Sequence, residues 1–145
     1  MTAHVIRPCG VAIRDHSILV MRYQYGAHDR FNLPGGNLEP DEELHACLIR
    51  EFQEELHWSI TPRELLFVAE TRTDRATLHL AYRVDFTGEP QLDTRQVKAT
   101  ELLWLPHAEL STAPLYPAIG PGLARWMRGE SLPVHLGRID QPWFP

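Results

Sequence analysis

The reading of the fold rests on Gly36-Asn37-Leu38-Glu39-Pro40-Asp41-Glu42 and the run Arg50-Glu51-Phe52-Gln53-Glu54-Glu55-Leu56-His57-Trp58 that follows seven residues later. A helix is expected from about Asp41 to His57, with Asp41 as N-cap and Glu42 and Glu43 near its positive end. At about 100° per residue, Leu44, Cys47 and Leu48 form an apolar arc that Phe52 and Leu56 widen. Whole turns from that arc land on Glu51 and Glu55, and Glu54 lies three residues from Glu51. Like charges gathered toward a core resist ionisation unless something positive joins them. Arg50 is expected to serve one carboxylate, not three, which leaves a divalent cation as the economical partner. Hard oxygen ligands select Mg2+ or Mn2+ over zinc. Gly35 and Gly36, just before the helix, let the backbone approach a ligand closely.

Working outward, the first forty residues read as strands. Val11-Ala12-Ile13 and Ile18-Leu19-Val20-Met21 flank a polar turn at Arg14 to Ser17, and Tyr23 to Arg30 reads as a loop. Leu65 to Ala69 reads as another strand, and Leu78, Leu80, Tyr82, Val84 and Phe86 alternate through Thr77 to Phe86. Leu102 to Leu105 is a short strand stopped by Pro106. A helix is expected from about Tyr116 to Arg128, with an extended tail from Ser131 to Pro145. No internal repeat or linker interrupts the 145 residues, so residues 1–145 read as one domain.

With 43% hydrophobic and 23% charged residues, the composition excludes disorder as the main state. The formal charge is −5, which argues against a general nucleic-acid binder. That charge is concentrated. Residues 39 to 55 hold seven acids and one arginine, a local −6, while the remainder holds 13 basic and 12 acidic residues, or +1. Cys9 and Cys47 match no metal-ligand spacing or disulfide framework, and no stretch has the ~18 uncharged apolar residues of a membrane span. A cytoplasmic protein is expected.

The motif resembles the Nudix box, G-x5-E-x7-R-E-U-x-E-E-x-G-U, in six of its seven fixed letters: Gly36, Glu42, Arg50, Glu51, Glu54 and Glu55. Leu33-Pro34-Gly35 is similar to the family's usual approach to the box. His57 replaces the second glycine, and the usually aliphatic U positions are Phe52 and Trp58. The glycine's expected task is to end the helix in a left-handed conformation, which His tolerates better than most residues.

The resemblance implies an α/β fold, a Nudix-type α/β/α sandwich with a mixed sheet. It implies Mg2+-dependent hydrolysis of a pyrophosphate linkage in a nucleoside diphosphate joined to another group. By position, Glu51, Glu54 and Glu55 would be the metal ligands, Arg50 would hold the carboxylates, Gly36 would shape the loop and Glu42 would support it. Glu54 and Arg50 then belong to the catalytic set. Glu101 is the candidate for a further ligand or general base, with Glu70 behind it; each also reads as an exposed strand-end glutamate. Arg22, Arg30, Arg72 and Arg83 are candidates for phosphate contacts or plain surface charge, and Phe31 and Tyr23 for stacking a base, with Phe31 reading equally as core. The expected partner is a small nucleotide, with no membrane and no DNA or RNA; a homodimer is compatible with the sequence. The competing reading is a Nudix-fold module that binds a nucleotide without turning it over. A sensor has no need of every box carboxylate, so their full set favours the enzyme.

Overall fold

The computed structural model describes residues 4–141. Eight strands form two sheets: β1 (His4–Val11), β2 (Ile13–Arg14), β3 (Ser17–Tyr25), β4 (His28–Asn32), β5 (Ile60–Arg72), β6 (Ala76–Phe86), β7 (Glu101–Pro106) and β8 (His135–Arg138). The first sheet is mixed, in the order β1-β6-β5-β8; β1 runs parallel to β6 and β8 parallel to β5, while β5 and β6 are antiparallel. The second is antiparallel, with β2, β4 and β7 all paired to β3. Helix α1 covers Leu44–Leu56 and α2 covers Gly120–Met127.

Two buried clusters fill the space on either side of the strands. One joins Leu123 and Ala124 of α2 to Val11, Ile18, Val20 and Ala81. The other joins Leu48, Phe52 and Leu56 of α1 to Leu19, Met21, Leu80 and Tyr82. A helix therefore closes each side, giving the expected α/β/α layering, built from two sheets rather than one. The strand alternation decides which cluster each residue enters. Val20 faces α2 and Met21 faces α1. Arg22 continues the α2 side and Tyr23 the α1 side.

Helix α1 starts three residues later than expected. Asp41 stands at φ +64, a left-handed turn rather than a cap, and Glu43 takes the N-cap position without a side-chain bond. The Glu42 carboxylate folds back to accept from the Glu39 backbone N–H at 3.1 Å. At the other end, His57 takes the left-handed conformation (φ 48, ψ 42) and its N–H donates to the Gln53 carbonyl. His57 performs the glycine's task, and its Nε2 lies 2.9 Å from the Asp93 carboxylate. The two aromatic box positions are explained by packing: Phe52 stacks on Trp58, and Trp58 meets Phe86 with ring centroids 4.5 Å apart. Gly10 makes room for this, since a Cβ there would stand 2.6 Å from Phe52 Cζ.

Other elements differ from the sequence expectation for local reasons. Tyr23 to Arg30 is not a loop; β3 and β4 form a hairpin in which Tyr25 pairs with His28 and Gly26 supplies a positive φ. Strand β5 extends well beyond Leu65–Ala69, and register shifts after Pro62 and after Leu65 absorb the proline. Helix α2 begins at Gly120 instead of about Tyr116, with Pro121 in its first turn, where a missing N–H is harmless. The tail contributes β8; residues 142–145 of the expected extended segment lie outside the described residues.

Candidate active site

The loop from Gly35 to Pro40 and the face of α1 carrying Glu51 and Glu55 line an open cavity of about 570 Å3, together with Arg7, Tyr23 and Asn32. Gly36 is placed by contact: a Cβ there would stand 2.2 Å from Glu51 Cδ, so only glycine leaves room for the carboxylate. Gly35 is tied to the sheet instead, with its missing Cβ facing Pro8 O.

Arg50 does more than expected. Its guanidinium donates to both Glu42 oxygens, at 2.7 and 3.0 Å, and through Nη1 to Glu51 at 2.9 Å and Glu54 at 3.2 Å. The expectation that it serves a single carboxylate is corrected, because its planar fork presents five N–H donors to a ring of acids. This pairing holds Glu42 at about 2, well below the ordinary carboxylate value.

Glu55 is the carboxylate Arg50 leaves aside. It is 9% exposed, and its Oε2 is buried without a hydrogen-bond partner among the described residues. Burial, followed by the neighbouring Glu51, pushes its pKa well above the ordinary carboxylate range. Burial also raises the Tyr23 hydroxyl to about 12, with the Glu55 charge adding to it. A hard divalent cation fits this donor set, since it would neutralise Glu55 and Glu51 together and give the orphaned oxygen a partner. Among the described residues no three acidic, His or Cys side chains already converge on one point. Glu54, half exposed, turns to Arg50.

The structure brings Gly35, Gly36, Arg50, Glu51, Glu54 and Glu55 together, and Tyr23 with them. It does not bring in Glu101, Arg22 or Phe31. Glu101 and Phe31 both pair with Arg22 across the sheet, so all three side chains leave its α2 face, opposite the carboxylates. There Arg22 binds Glu101 at 2.6 Å and Asp29 at 2.9 Å, while Phe31 packs on the α2-side core. Glu70 is bonded to His135, and Arg83 to Glu64 and Asp85, both away from the cavity. Sequence reasoning missed Arg7, Asn32 and Asn37. Arg7 occupies an alternating position of β1 with Cys9 and Val11, and β1 begins earlier than the apolar run at Val11 suggests.

Comparison with known proteins agrees with this geometry. The NUDIX domain family matches residues 5–127. The chain belongs to the Nudix family. A curated relative, the CTP pyrophosphohydrolase of Escherichia coli K12, is 35% identical over 95 residues, covering 64% of this chain and 67% of that protein. The solution structure of the E. coli ORF135 protein superposes with a TM-score of 0.74 at 27% identity, covering 88% of this chain and 91% of that one. The MutT protein of Methanosarcina mazei Go1 shares the Nudix fold with a TM-score of 0.75 at 16% identity, covering 88% and 96%. With the curated relative, Nudix membership makes the chain a pyrophosphohydrolase. No helix among the described residues is long and apolar enough to cross a membrane.

Proposed function

We propose that this Nudix enzyme hydrolyses a phosphoanhydride bond of a nucleoside triphosphate, with a pyrimidine such as CTP the leading substrate and Mg2+ the working ion, in the cytoplasm. The observation that carries the reading is Glu55: a buried carboxylate beside Glu51, without a cation in contact among the described residues, at the wall of an open cavity. The E. coli relative supports the choice of CTP, and the burial of both free cysteines suits a reducing compartment.

Glu51, Glu54 and Glu55 would hold the ion, which when bound neutralises pyrophosphate charge and acidifies water. The chain's own residues do the rest. Arg50 pairs with Glu51 and Glu54 and aims them. Arg7, which has no carboxylate in contact among the described residues, offers its guanidinium to phosphate oxygens from the cavity wall. Gly36 leaves room for the Glu51 carboxylate at the cavity wall. Water adds to phosphorus and gives up a proton to solvent, the bridging P–O bond breaks, and the displaced phosphate or pyrophosphate leaves with the bridging oxygen. Such chemistry depends mainly on positioning and charge.

Glu54→Gln is the test. Glu54 is half exposed, so the fold survives, while turnover with Mg2+ falls by about 10²-fold or more. A variant matching wild type on canonical triphosphates, nucleotide sugars, ADP-ribose and dinucleotides would remove Glu54 from the site.

A further inference from the structure

The carboxylate cavity shares Arg7, Asn32 and Asn37 with a second cavity of about 240 Å3, whose other walls include Val5, Thr77, His79, Tyr116 and the turn Thr73 to Arg75. Val5 pairs with Thr77 and Arg7 with His79 across β1 and β6, so these four side chains leave one face of the sheet. Arg7 stands between an acidic end and an end that holds no carboxylate except Asp74.

His79 is the unexplained group there. It is 4% exposed, yet its Nδ1 has no hydrogen-bond partner among the described residues. Its Nε2 lies 2.7 Å from Thr71 Oγ1, which is itself buried. Burial, helped by the Arg7 charge, pushes the His79 pKa down to about 4, so the ring is neutral near pH 7 and carries a single N–H. Two arrangements are available to the pair. If the Thr71 hydroxyl donates to Nε2, the proton sits on Nδ1 and only that N–H is left without a partner. If Nε2–H donates to Thr71, the hydroxyl hydrogen and the Nδ1 lone pair are both stranded. The first arrangement wins because it leaves one unmet group instead of two. Thr71 therefore fixes the tautomer, and the Nδ1–H remains as a buried, unmatched donor on a residue that lines the second cavity.

We propose that His79 is a specificity-determining residue whose Nδ1–H donates to a ring carbonyl or ring nitrogen of a single-ring nucleobase, with Thr71 as its positioning residue. The inference rests on the reading that the carboxylate cavity takes the phosphates. A neutral imidazole suits a base rather than a phosphate, and the second cavity is below the ~300 Å3 at which drug-sized sites begin.

The experiment measures kcat and KM with Mg2+ for CTP, UTP, ATP and GTP on wild type, His79→Phe, His79→Asn and Thr71→Val, and calorimetric Kd values for CMP and AMP on the same proteins. Wild type should favour the pyrimidines. His79→Phe should raise their KM about five- to tenfold, with the loss in KM rather than kcat, and bring pyrimidines and purines together. His79→Asn, whose amide nitrogen can take the place of Nδ1, should restore the preference, and Thr71→Val should lose part of it. Unchanged pyrimidine KM and CMP affinity in His79→Phe, or an equal loss for every base, overturns the proposal. If wild type cleaves none of these triphosphates, the triphosphate reading falls instead. The CMP and AMP affinities then decide the His79 question alone, and equal values for wild type and His79→Phe reject it.

Discussion

Gly36→Ala tests the contact on which the site geometry depends. The new Cβ would stand 2.2 Å from Glu51 Cδ and 2.4 to 2.5 Å from its oxygens. Ordinary carbon contact begins near 3.5 Å, so Glu51 or the loop must move by roughly 1.3 Å. Glu51 is not free to swing, because its side chain is 13% exposed and bonded to Arg50 at 2.9 Å. Losing that charge-assisted bond costs about 1.5–3 kcal/mol. At about 2–4 °C per kcal/mol for a domain near this size, the melting temperature should fall by roughly 3–12 °C. A displacement of about 1 Å in a positioning group also costs on the order of 10²-fold in rate. Steady-state turnover with Mg2+ and a thermal melt followed by circular dichroism read the two effects separately. An alanine variant with turnover within threefold of wild type and an unchanged melt would mean that Gly36 and Glu51 do not press together.

Three further outcomes follow from the packing and charges. Phe52→Ala opens the fully buried aromatic cluster and should lose about 3–5 kcal/mol in urea unfolding; a loss under 1 kcal/mol would contradict the packing against Gly10 and Trp58. Burial lowers His79 to about 4 in the folded chain from an ordinary 6.5, so the unfolded chain binds more protons between those values. Stability from this group is full above about pH 6.5 and declines toward pH 4, by about 3 kcal/mol in all, and His79→Phe should flatten that part of a urea-denaturation pH profile. Glu101→Gln, on the sheet face away from the carboxylates, should keep kcat within about threefold; a hundredfold loss would place Glu101 in the reaction.

Legibility in the sequence tracked how local the determining interaction is. The interior of α1 was readable because its apolar arc is a periodic pattern, and the same pattern predicted which acids turn inward. Its first turn was not, since Asp41 is a good cap by type but its backbone sits at φ +64 after Pro40. The β3–β4 hairpin was hidden by polar and aromatic residues on two short strands, with Gly26 the one local clue. Within the site, the box glutamates sit at fixed helical spacing and could be found by counting. Arg7 and His79 face each other only because β1 runs parallel beside β6, a pairing between segments some 70 residues apart. For Arg22, Phe31 and Glu101 residue type was right for the chemistry, but strand parity sends them to the other face.

The ring of acids around Arg50 bears on how the protein would meet the ion proposed for it. A chain whose carboxylates were held only by metal would risk losing its shape whenever a chelator stripped the site. Here a resident guanidinium already spans Glu42, Glu51 and Glu54, and the unshared burden falls on Glu55 alone. On the proposed reading, metal capture would be an exchange of electrostatic partners on a finished scaffold, and melts in EDTA should still show one cooperative transition. An enzyme built so would stay folded without its ion and ready to load it.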